Sequence, residues 1–385
     1  MVSPAMRRAP CLACRTSRFA RLAARARVAS LVAAVLLTAT GDAPAAAAAG
    51  EYAVELGHEC YDFVVSADEK YFAATDYSRI SVYEIGGRKI ASVQVSPTQR
   101  FVDLLEITSD GDVAYFSDAQ APGAPLHLLR SPGYRVAGAV SQSCVGVSLE
   151  NQLFARWSKG EIVVERGLGP LREETARFDV RRDGIHSLRF LPKADRAVGL
   201  AGYEPESDLR VRLPETSSLW LFDLAGGRGR RIVDAESEAR RRENDFFVWN
   251  HFAIAGGANC AVVAGYGRSP TGYGALVRVI NLLNPTSDWR ELFVKNESVR
   301  AIDLCASGSH FVIVTRDTSV ADTGPLRGIK QHDYAAAVYE VAGGRQERLV
   351  GETPDAIVGV AFGRDERSVY VGYEKGLIKL ISRGK

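Results

Sequence analysis

Residues that commonly form metal and redox sites are scarce in this chain. Its 385 residues include six cysteines, six histidines and two methionines. The cysteines after residue 50 are widely spaced and form no C-x-x-C pair, and no two histidines stand at the spacing of metal ligands. The sequence therefore gives no support for a zinc site or a thioredoxin-like motif, and we expect no metal and no cofactor.

Three common catalytic motifs are also missing from the sequence. There is no G-x-S-x-G segment, no H-E-x-x-H segment and no phosphate-binding Gly-Lys-Ser/Thr loop. The glycine-rich segment at 226–229 follows a predicted strand as a turn, rather than opening a helix. These absences exclude the best-marked hydrolase, metalloprotease and nucleotide-binding classes.

An excess of positive charge is confined to the first 50 residues. The whole chain has 48 basic and 46 acidic residues, but the first 50 hold seven arginines and one acid, Asp42. The remainder has 41 basic and 45 acidic residues, a net charge of about −4. Nucleic-acid binding requires clustered Lys and Arg on one face, so we do not expect it here.

No apolar run is long enough to span a bilayer, which takes about 20 residues. The longest candidate, Val28–Leu37, follows the arginines and precedes the small-residue run Ala43–Ala49. This order is typical of a secretory signal peptide, and an uncleaved anchor or an organelle transit peptide are the alternatives. We predict a leader at 1–50 and a domain at 51–385, exported to the periplasm or cell exterior without a membrane span.

A pattern of apolar residues occurs seven times after residue 57. Each copy has three apolar anchors, the second three residues after the first and the third two residues after the second. A turn and another apolar run follow. The clearest copies are Ile357/Val360/Phe362 and Ile185/Leu188/Phe190. The third anchors are Val65, Ile107, Val147, Phe190, Ile254, Leu304 and Phe362, spaced 42, 40, 43, 64, 50 and 58 residues apart. Units of this length with short strands indicate β-propeller blades. We expect all seven anchors to be buried between blades.

Strands can be assigned within the first unit. They are predicted at Tyr61–Ser66, Tyr71–Thr75, Ile80–Ile85 and Lys89–Val95, and Gly86-Gly87 supplies the last turn because glycine tolerates positive φ. The third strand and its glycine turn recur at Leu219–Gly227 and Ala337–Gly344.

These segments resemble the WD40-repeat family, in which an aromatic residue and an acid precede a short glycine turn. Gly57-His58 stands where that family has Gly-His, and the resemblance implies that His58 bonds with Thr75, Asp76 and Tyr83. The chain departs from the family because no repeat contains the Trp-Asp pair. Exported YVTN and quinoprotein-like propellers have similarly degenerate repeats. The resemblance covers nearly all of 51–385 and implies a fold, not an activity.

The ends of the chain support seven blades. The last unit has three predicted strands and then stops, while Tyr52–Leu56 is a strand-like segment without a blade. If the N-terminal strand completes the last blade, no sheet edge is left unpaired at the junction. We therefore predict an all-β, seven-bladed propeller of four-stranded antiparallel blades, closed by the N-terminal strand and monomeric.

The loops between the second and third strands (b–c loops) differ among the blades. They are tight in blades 1, 3 and 7 and long in blades 4, 5 and 6, at 203–215, 267–274 and 316–334. In this fold the b–c loops share one face with the connections between blades, and long loops on a rigid scaffold commonly bind ligands. The predicted binding residues are Tyr203, Arg210, Arg212, Tyr273, Arg327, His332 and Tyr334.

Two function classes stay open on this evidence. The first is a non-catalytic scaffold that binds a protein or peptide through this loop-rich face, and the missing motifs favour it. The second is an exported hydrolase, lactonase or quinoprotein-like oxidoreductase with its site at the channel mouth. Acids in the loops could meet there with His332, although a solvated loop is the simpler interpretation: Glu204, Glu206, Asp208 and Asp333.

One cysteine pair is placed for a disulfide. Cys260 is predicted to open the second strand of blade 5, and Cys305 to close the first strand of blade 6. Both would then lie near the face opposite the b–c loops, in neighbouring blades. The alternative is that they are two small buried hydrophobic residues.

Overall fold

The protein is described by a computed structural model. It describes residues 52–95, 102–117, 125–141, 143–167, 172–180, 183–201, 217–234, 246–255, 257, 259–269, 272–285, 290–295, 297–317 and 333–383. These residues contain 28 β-strands. Every sheet is antiparallel and has four strands, and there are seven sheets in this part of the chain.

The strands follow the chain from blade to blade. Blade 1 has β2 (Asp62–Val65), β3 (Tyr71–Thr75), β4 (Arg79–Glu84) and β5 (Lys89–Gln94). Blade 2 has β6 (Val102–Ile107), β7 (Val113–Ser117), β8 (Leu126–Arg130) and β9 (Arg135–Ser141). Blade 3 has β10 (Cys144–Ser148), β11 (Leu153–Ser158), β12 (Glu161–Arg166) and β13 (Glu173–Asp179). Blade 4 has β14 (Ile185–Phe190), β15 (Arg196–Ala201), β16 (Ser218–Asp223) and β17 (Arg228–Asp234).

The remaining strands complete the ring. Blade 5 has β18 (Phe246–Ile254), β19 (Cys260–Ser269), β20 (Gly272–Asn281) and β21 (Arg290–Lys295). Blade 6 has β22 (Glu297–Leu304), β23 (His310–Asp317), β24 (Tyr334–Glu340) and β25 (Gln346–Thr353). Blade 7 has β26 (Ile357–Phe362), β27 (Ser368–Tyr373), β28 (Leu377–Ser382) and β1 (Tyr52–Glu55). The predicted all-β propeller of seven four-stranded antiparallel blades is thus confirmed.

The first strand of each blade is innermost. The first strands of successive blades lie against one another around the centre, and between blades 4 and 5 the contact runs from β18 to β15. Seven apolar clusters lie between the blades, one at each interface including that of blades 7 and 1. The core is therefore a ring of interfaces rather than a single centre.

The N-terminal strand closes this ring as predicted. β1 pairs antiparallel with β28, from Tyr52 opposite Leu380 to Glu55 opposite Leu377. Its Val54 is buried and packs in the cluster that joins blades 7 and 1. The first and last described strands therefore share one sheet.

The seven anchor residues are buried to different degrees. Ile107, Phe190 and Leu304 are buried, and the other four are half-buried and pack against the clusters between blades: Val65, Val147, Ile254 and Phe362. None is exposed, so the predicted register holds. Full burial of all seven was wrong, because four of them lie at the margins of their clusters.

The predicted turns largely form. The third-to-fourth strand turns of blades 1, 4 and 6 each have a glycine at positive φ, at Gly87, Gly227 and Gly344. The b–c turns of blades 1, 3 and 7 are tight, and Lys159 and Gly160 at positive φ make the one in blade 3. Positive φ at both central residues gives this turn a backbone twist that matches the twist of the two antiparallel strands it joins.

Blade 5 corrects the prediction of a long b–c loop at 267–274. Its second and third strands instead continue to Ser269 and Gly272, which pair with each other. β18 follows them as far as Phe246, opposite Arg268. The alternation of glycine with aromatic residues resembles a loop in sequence, but it forms an extended hairpin at the b–c face.

The cysteines after residue 50 are all free thiols in the described chain. Cys305 is fully buried, whereas Cys260 is half-buried. Burial, with a smaller contribution from the Cys305 thiol, raises the pKa of Cys260 to about 11. The two lie within electrostatic range of each other, but no disulfide joins them, and they serve as small core residues.

Closure by β1 can be tested with a pair of neighbouring substitutions. We expect Val54→Asp to destabilise the protein by about 4 kcal/mol, since it buries an unpaired charge between blades 7 and 1. Ala53→Asp is the control, because Ala53 is exposed and pairs with Lys379. Denaturant unfolding of both variants provides the measurement. Equal losses of stability would contradict closure of the ring by β1.

Candidate functional site in the central channel

The innermost strands share a bulge. In blades 2 to 7 the pairing of the first strand with the second skips one residue. In blades 4 to 7 the skipped residue is the first one after the first anchor. In blades 2 and 3 it is the third one after that anchor position. Bulges of this kind re-aim side chains and are frequent beside binding sites.

The bulged residues differ between the two sides of the ring. They are polar in blades 4, 5 and 6, namely His186, Asn250 and Arg300. In blades 2, 3 and 7 they are Leu105, Val145 and Val358. Blade 5 also has the extended hairpin, and the segments predicted as long loops belong to blades 4 and 6, so these features fall in the same three blades as the polar bulges.

These three polar residues face the central channel. All three are exposed although they lie in the innermost strands, whose only open side is the channel. Surrounding protein nevertheless desolvates the His186 imidazole and lowers its pKa to about 4. His186 is therefore neutral at pH 7.

A second histidine follows the bulge in blade 5. Burial, then the nearby Arg300 guanidinium, lowers the pKa of His251 to about 4, while a bond to the Val299 backbone acts in the opposite direction. The His251 ring donates this bond to the Val299 backbone, so the bond connects blade 5 to blade 6. His251 also lies within electrostatic range of both Arg300 and His186.

The channel carboxylates have a structural role. Asp62 accepts bonds from the Phe63 N–H at 2.8 Å and from the Leu104 N–H of blade 2 at 3.0 Å. Glu106 accepts from the Leu149 N–H of blade 3 at 2.8 Å. Asp303 likewise accepts from the Phe362 N–H of blade 7 at 2.8 Å. Each of the three therefore joins its first strand to the next blade.

Burial also changes the protonation of these acids. Desolvation, then the neighbouring Asp103, raises the pKa of Asp62 to about 7. Desolvation likewise raises the pKa of Glu106 to about 7 and that of Asp303 above its ordinary value. Arg189 lowers the pKa values of Asp62 and Asp303 and so acts as their counter-charge deeper in the channel.

In two blades, a side chain just before the first strand forms hydrogen bonds with other strands of the same blade. His58 Nε2 lies 3.2 Å from Ser81 Oγ and 3.4 Å from the Tyr83 hydroxyl. The predicted bond with Tyr83 is confirmed, but Ser81 replaces Thr75 and Asp76, because the Thr75 hydroxyl donates to the backbone of its own turn.

Blade 4 uses an acid at the equivalent position, two residues before the first anchor. Asp183 is buried and accepts from Trp220 Nε1 at 2.8 Å, Arg231 Nη2 at 2.6 Å and Ser218 Oγ at 3.2 Å. This network fixes the start of β14 and therefore the position of His186.

Two of the seven predicted binding residues lie in the described part of the chain. Tyr273 is 48% exposed on the blade 5 hairpin, and its ring stacks on Tyr266 with centroids 6.2 Å apart. Tyr334 is half-buried at the start of β24 and packs against the cluster between blades 6 and 7. The other five lie outside the described residues: Tyr203, Arg210, Arg212, Arg327 and His332.

Of the loop acids considered for the channel mouth, Asp333 is described. It is exposed, and its carbonyl accepts from the Asp317 N–H at 2.9 Å. Glu204, Glu206 and Asp208 lie outside the described residues.

The motif search missed the channel residues. No catalytic motif contains His186, Asn250 or Arg300, but the repeat itself carries a signal. The residue after each first anchor is polar in six of the seven units, in chain order Tyr61, Asp103, Ser143, His186, Asn250 and Arg300, and Val358 is the exception. Polar residues at one position of an apolar repeat indicate a shared polar environment.

Two searches of the described residues were negative. No group of three or more His, Cys, Asp or Glu side chains there is arranged to hold a metal ion. In the same segments no helix is long and apolar enough to cross a membrane.

Of the comparisons with known proteins, the one with solved structures bears on the fold. No protein-family profile matches the chain, and no curated protein matches it in sequence. Among solved structures, hydrazine synthase of Kuenenia stuttgartiensis superimposes with a TM-score of 0.58 at 10% identity, covering 85% of this chain and 96% of that one. At this identity the similarity extends to the propeller fold and not to an activity.

The Asp62 carboxylate has a pH-dependent effect on stability. Because its pKa is raised on folding, its favourable contribution is complete below about pH 4 and is lost as pH rises through 7. We expect Asp62→Asn to gain stability relative to the unmodified protein between pH 4 and pH 8, by at most about 4 kcal/mol. Melting temperatures across this range provide the measurement. Exposed Asp110→Asn is the control, and parallel curves for the unmodified protein and Asp62→Asn would refute the assignment.

Proposed function

We propose that this protein is an exported, non-catalytic propeller that binds a protein or peptide through the b–c face of blades 4 to 6. The supporting observation is the coincidence in these blades of the extended hairpin, two long loops and the polar bulged residues at the channel. Exposed aromatic rings on a rigid support are typical of binding hot spots. Tyr273, stacked on Tyr266, is such a ring.

The ends of the two long loops are firmly fixed. Ser217, which ends the blade 4 loop, is fully buried; its hydroxyl donates to the Trp249 carbonyl at 3.2 Å and accepts from the Trp249 N–H at 2.7 Å. At blade 6 the Asp317 N–H donates to the Asp333 carbonyl at 2.9 Å. Loops attached to fixed strands can vary in sequence without disturbing the propeller.

Site-specific crosslinking can locate the binding face. Tyr273 and Leu283 stand near opposite ends of β20 and are 48% and 66% exposed. At a rise of about 3.4 Å per residue they lie about 30 Å apart. A photoreactive amino acid at position 273 is expected to capture the partner in the native cell, and the same group at 283 is not. Capture from 283 alone would place binding on the opposite face.

Loop trimming tests the contribution of the long loops. Replacing 203–216 and 318–332 by tight turns keeps Ser217 and Asp317 and leaves every described strand intact. We expect partner capture to fall at least tenfold while far-UV circular dichroism stays unchanged, because loop shortening has only a small entropic effect. Arg327→Ala and Tyr273→Ala are the point-substitution versions. Full capture by the trimmed, folded protein would contradict the proposal.

Export is the remaining element of this proposal, and the leader pattern supports it. Mass spectrometry of the protein from its native cell should find an N-terminus close to residue 50, in the periplasmic or extracellular fraction. Recovery with residues 1–50 intact in the cytoplasm would contradict export.

A further inference from the structure

We propose that His186, Asn250 and Arg300 form a binding site for a carboxylate group at the b–c end of the central channel. The site rests on the proposed function in one respect, that ligands approach from the b–c face. Its three side chains come from consecutive blades and occupy the same bulged position of the repeat.

The position of the bulges places the site at this end of the channel. Ile185, the residue before His186, pairs with Ala201, where β15 ends and the blade 4 loop begins. Arg300 lies between Val299, which pairs with Thr315, and Ala301, which pairs with Val314. It is therefore close to the end of β23 at Asp317. A ligand that enters from the b–c end reaches these side chains after passing the first residues of β18 and β22, Glu297 among them.

The three side chains are exposed and available for a ligand. None of them forms a hydrogen bond or an ion pair with another residue in the described segments, although Arg300 lies within electrostatic range of Tyr61 and His251. Four other polar groups of the channel are engaged, and Asp103, at the same repeat position in blade 2, is a half-buried acid whose pKa is raised by desolvation. The carboxylates of Asp62, Glu106 and Asp303 bond to the next blade, and His251 bonds to blade 6.

The chemistry of the set favours a carboxylate. A guanidinium presents parallel N–H donors that match the two oxygens of a carboxylate. The Asn250 amide and the neutral His186 imidazole add donors without adding charge. Arg189, deeper in the channel, already balances Asp62 and Asp303, so Arg300 supplies the charge of the site.

Two probes distinguish the source of the carboxylate. Succinate represents a free organic acid, and a capped penta-glutamate peptide represents an acidic segment of a protein partner, with penta-glutamine as its control. Isothermal titration of the full chain with each probe provides the measurement. We expect millimolar or tighter binding of at least one acidic probe and none of penta-glutamine.

Matched variants locate the binding. Arg300→Gln is expected to weaken it at least tenfold, and His186→Gln and Asn250→Ala about threefold each. Arg230→Gln removes the same charge from exposed β17 and should leave binding within twofold. Arg300→Lys keeps the charge, and we expect it to fold with binding weaker than in the unmodified protein, which keeps the test valid if Arg300→Gln does not fold.

The outcomes separate this inference from the proposed function. Succinate binding that survives loop trimming, without partner capture from position 273, would support the site and contradict the scaffold. Partner capture with no binding of succinate at 10 mM or penta-glutamate at 1 mM would overturn the site and leave the scaffold intact. Equal losses in Arg300→Gln and Arg230→Gln would also overturn the site.

Discussion

Packing between neighbouring blades is the interaction on which the rest of this structure depends. Each four-stranded sheet has an apolar cluster on either side, and the seventh interface forms because β1 and β28 share a sheet. A blade without neighbours would expose both faces, so stability depends on closing the ring. Closure also fixes the innermost strands around one axis and thereby creates the channel whose side chains form the candidate site.

The channel limits which polar groups can be placed there. A buried carboxylate is stable only when its oxygens accept hydrogen bonds, and Asp62, Glu106 and Asp303 each accept one from the next blade. The same bonds add polar connections to the apolar interfaces. The raised pKa values of these acids reflect the desolvation that the bonds only partly offset.

Much of the fold could be predicted from the sequence, because the apolar repeat and the glycine turns report directly on strand period and blade number. The blade 5 hairpin could not be predicted, because a segment with Gly265, Gly267 and Gly274 is typical of a loop. Only the structure shows that three strands pair there. The long loops predicted at 203–215 and 316–334 lie mostly outside the described residues. The candidate channel site could not be predicted, because one polar residue per repeat becomes a site only when the ring brings distant repeats together.

The asymmetry of the ring is the strongest indication of where this propeller functions. Packing alone would permit apolar bulged residues in every blade, as Leu105, Val145 and Val358 show. In blades 4 to 6 the bulge presents an exposed cationic or polar side chain, at a repeat position that is also polar in blades 1 to 3. Such groups add nothing to the apolar interfaces. Blade 5 has the longest described strands, and Ser217 and Asp317 fix the flanks of the segments predicted as long loops. The proposed role in binding would account for both features, because the predicted loops would provide surface for a large ligand and the bulged residues would provide polar contacts at its tip.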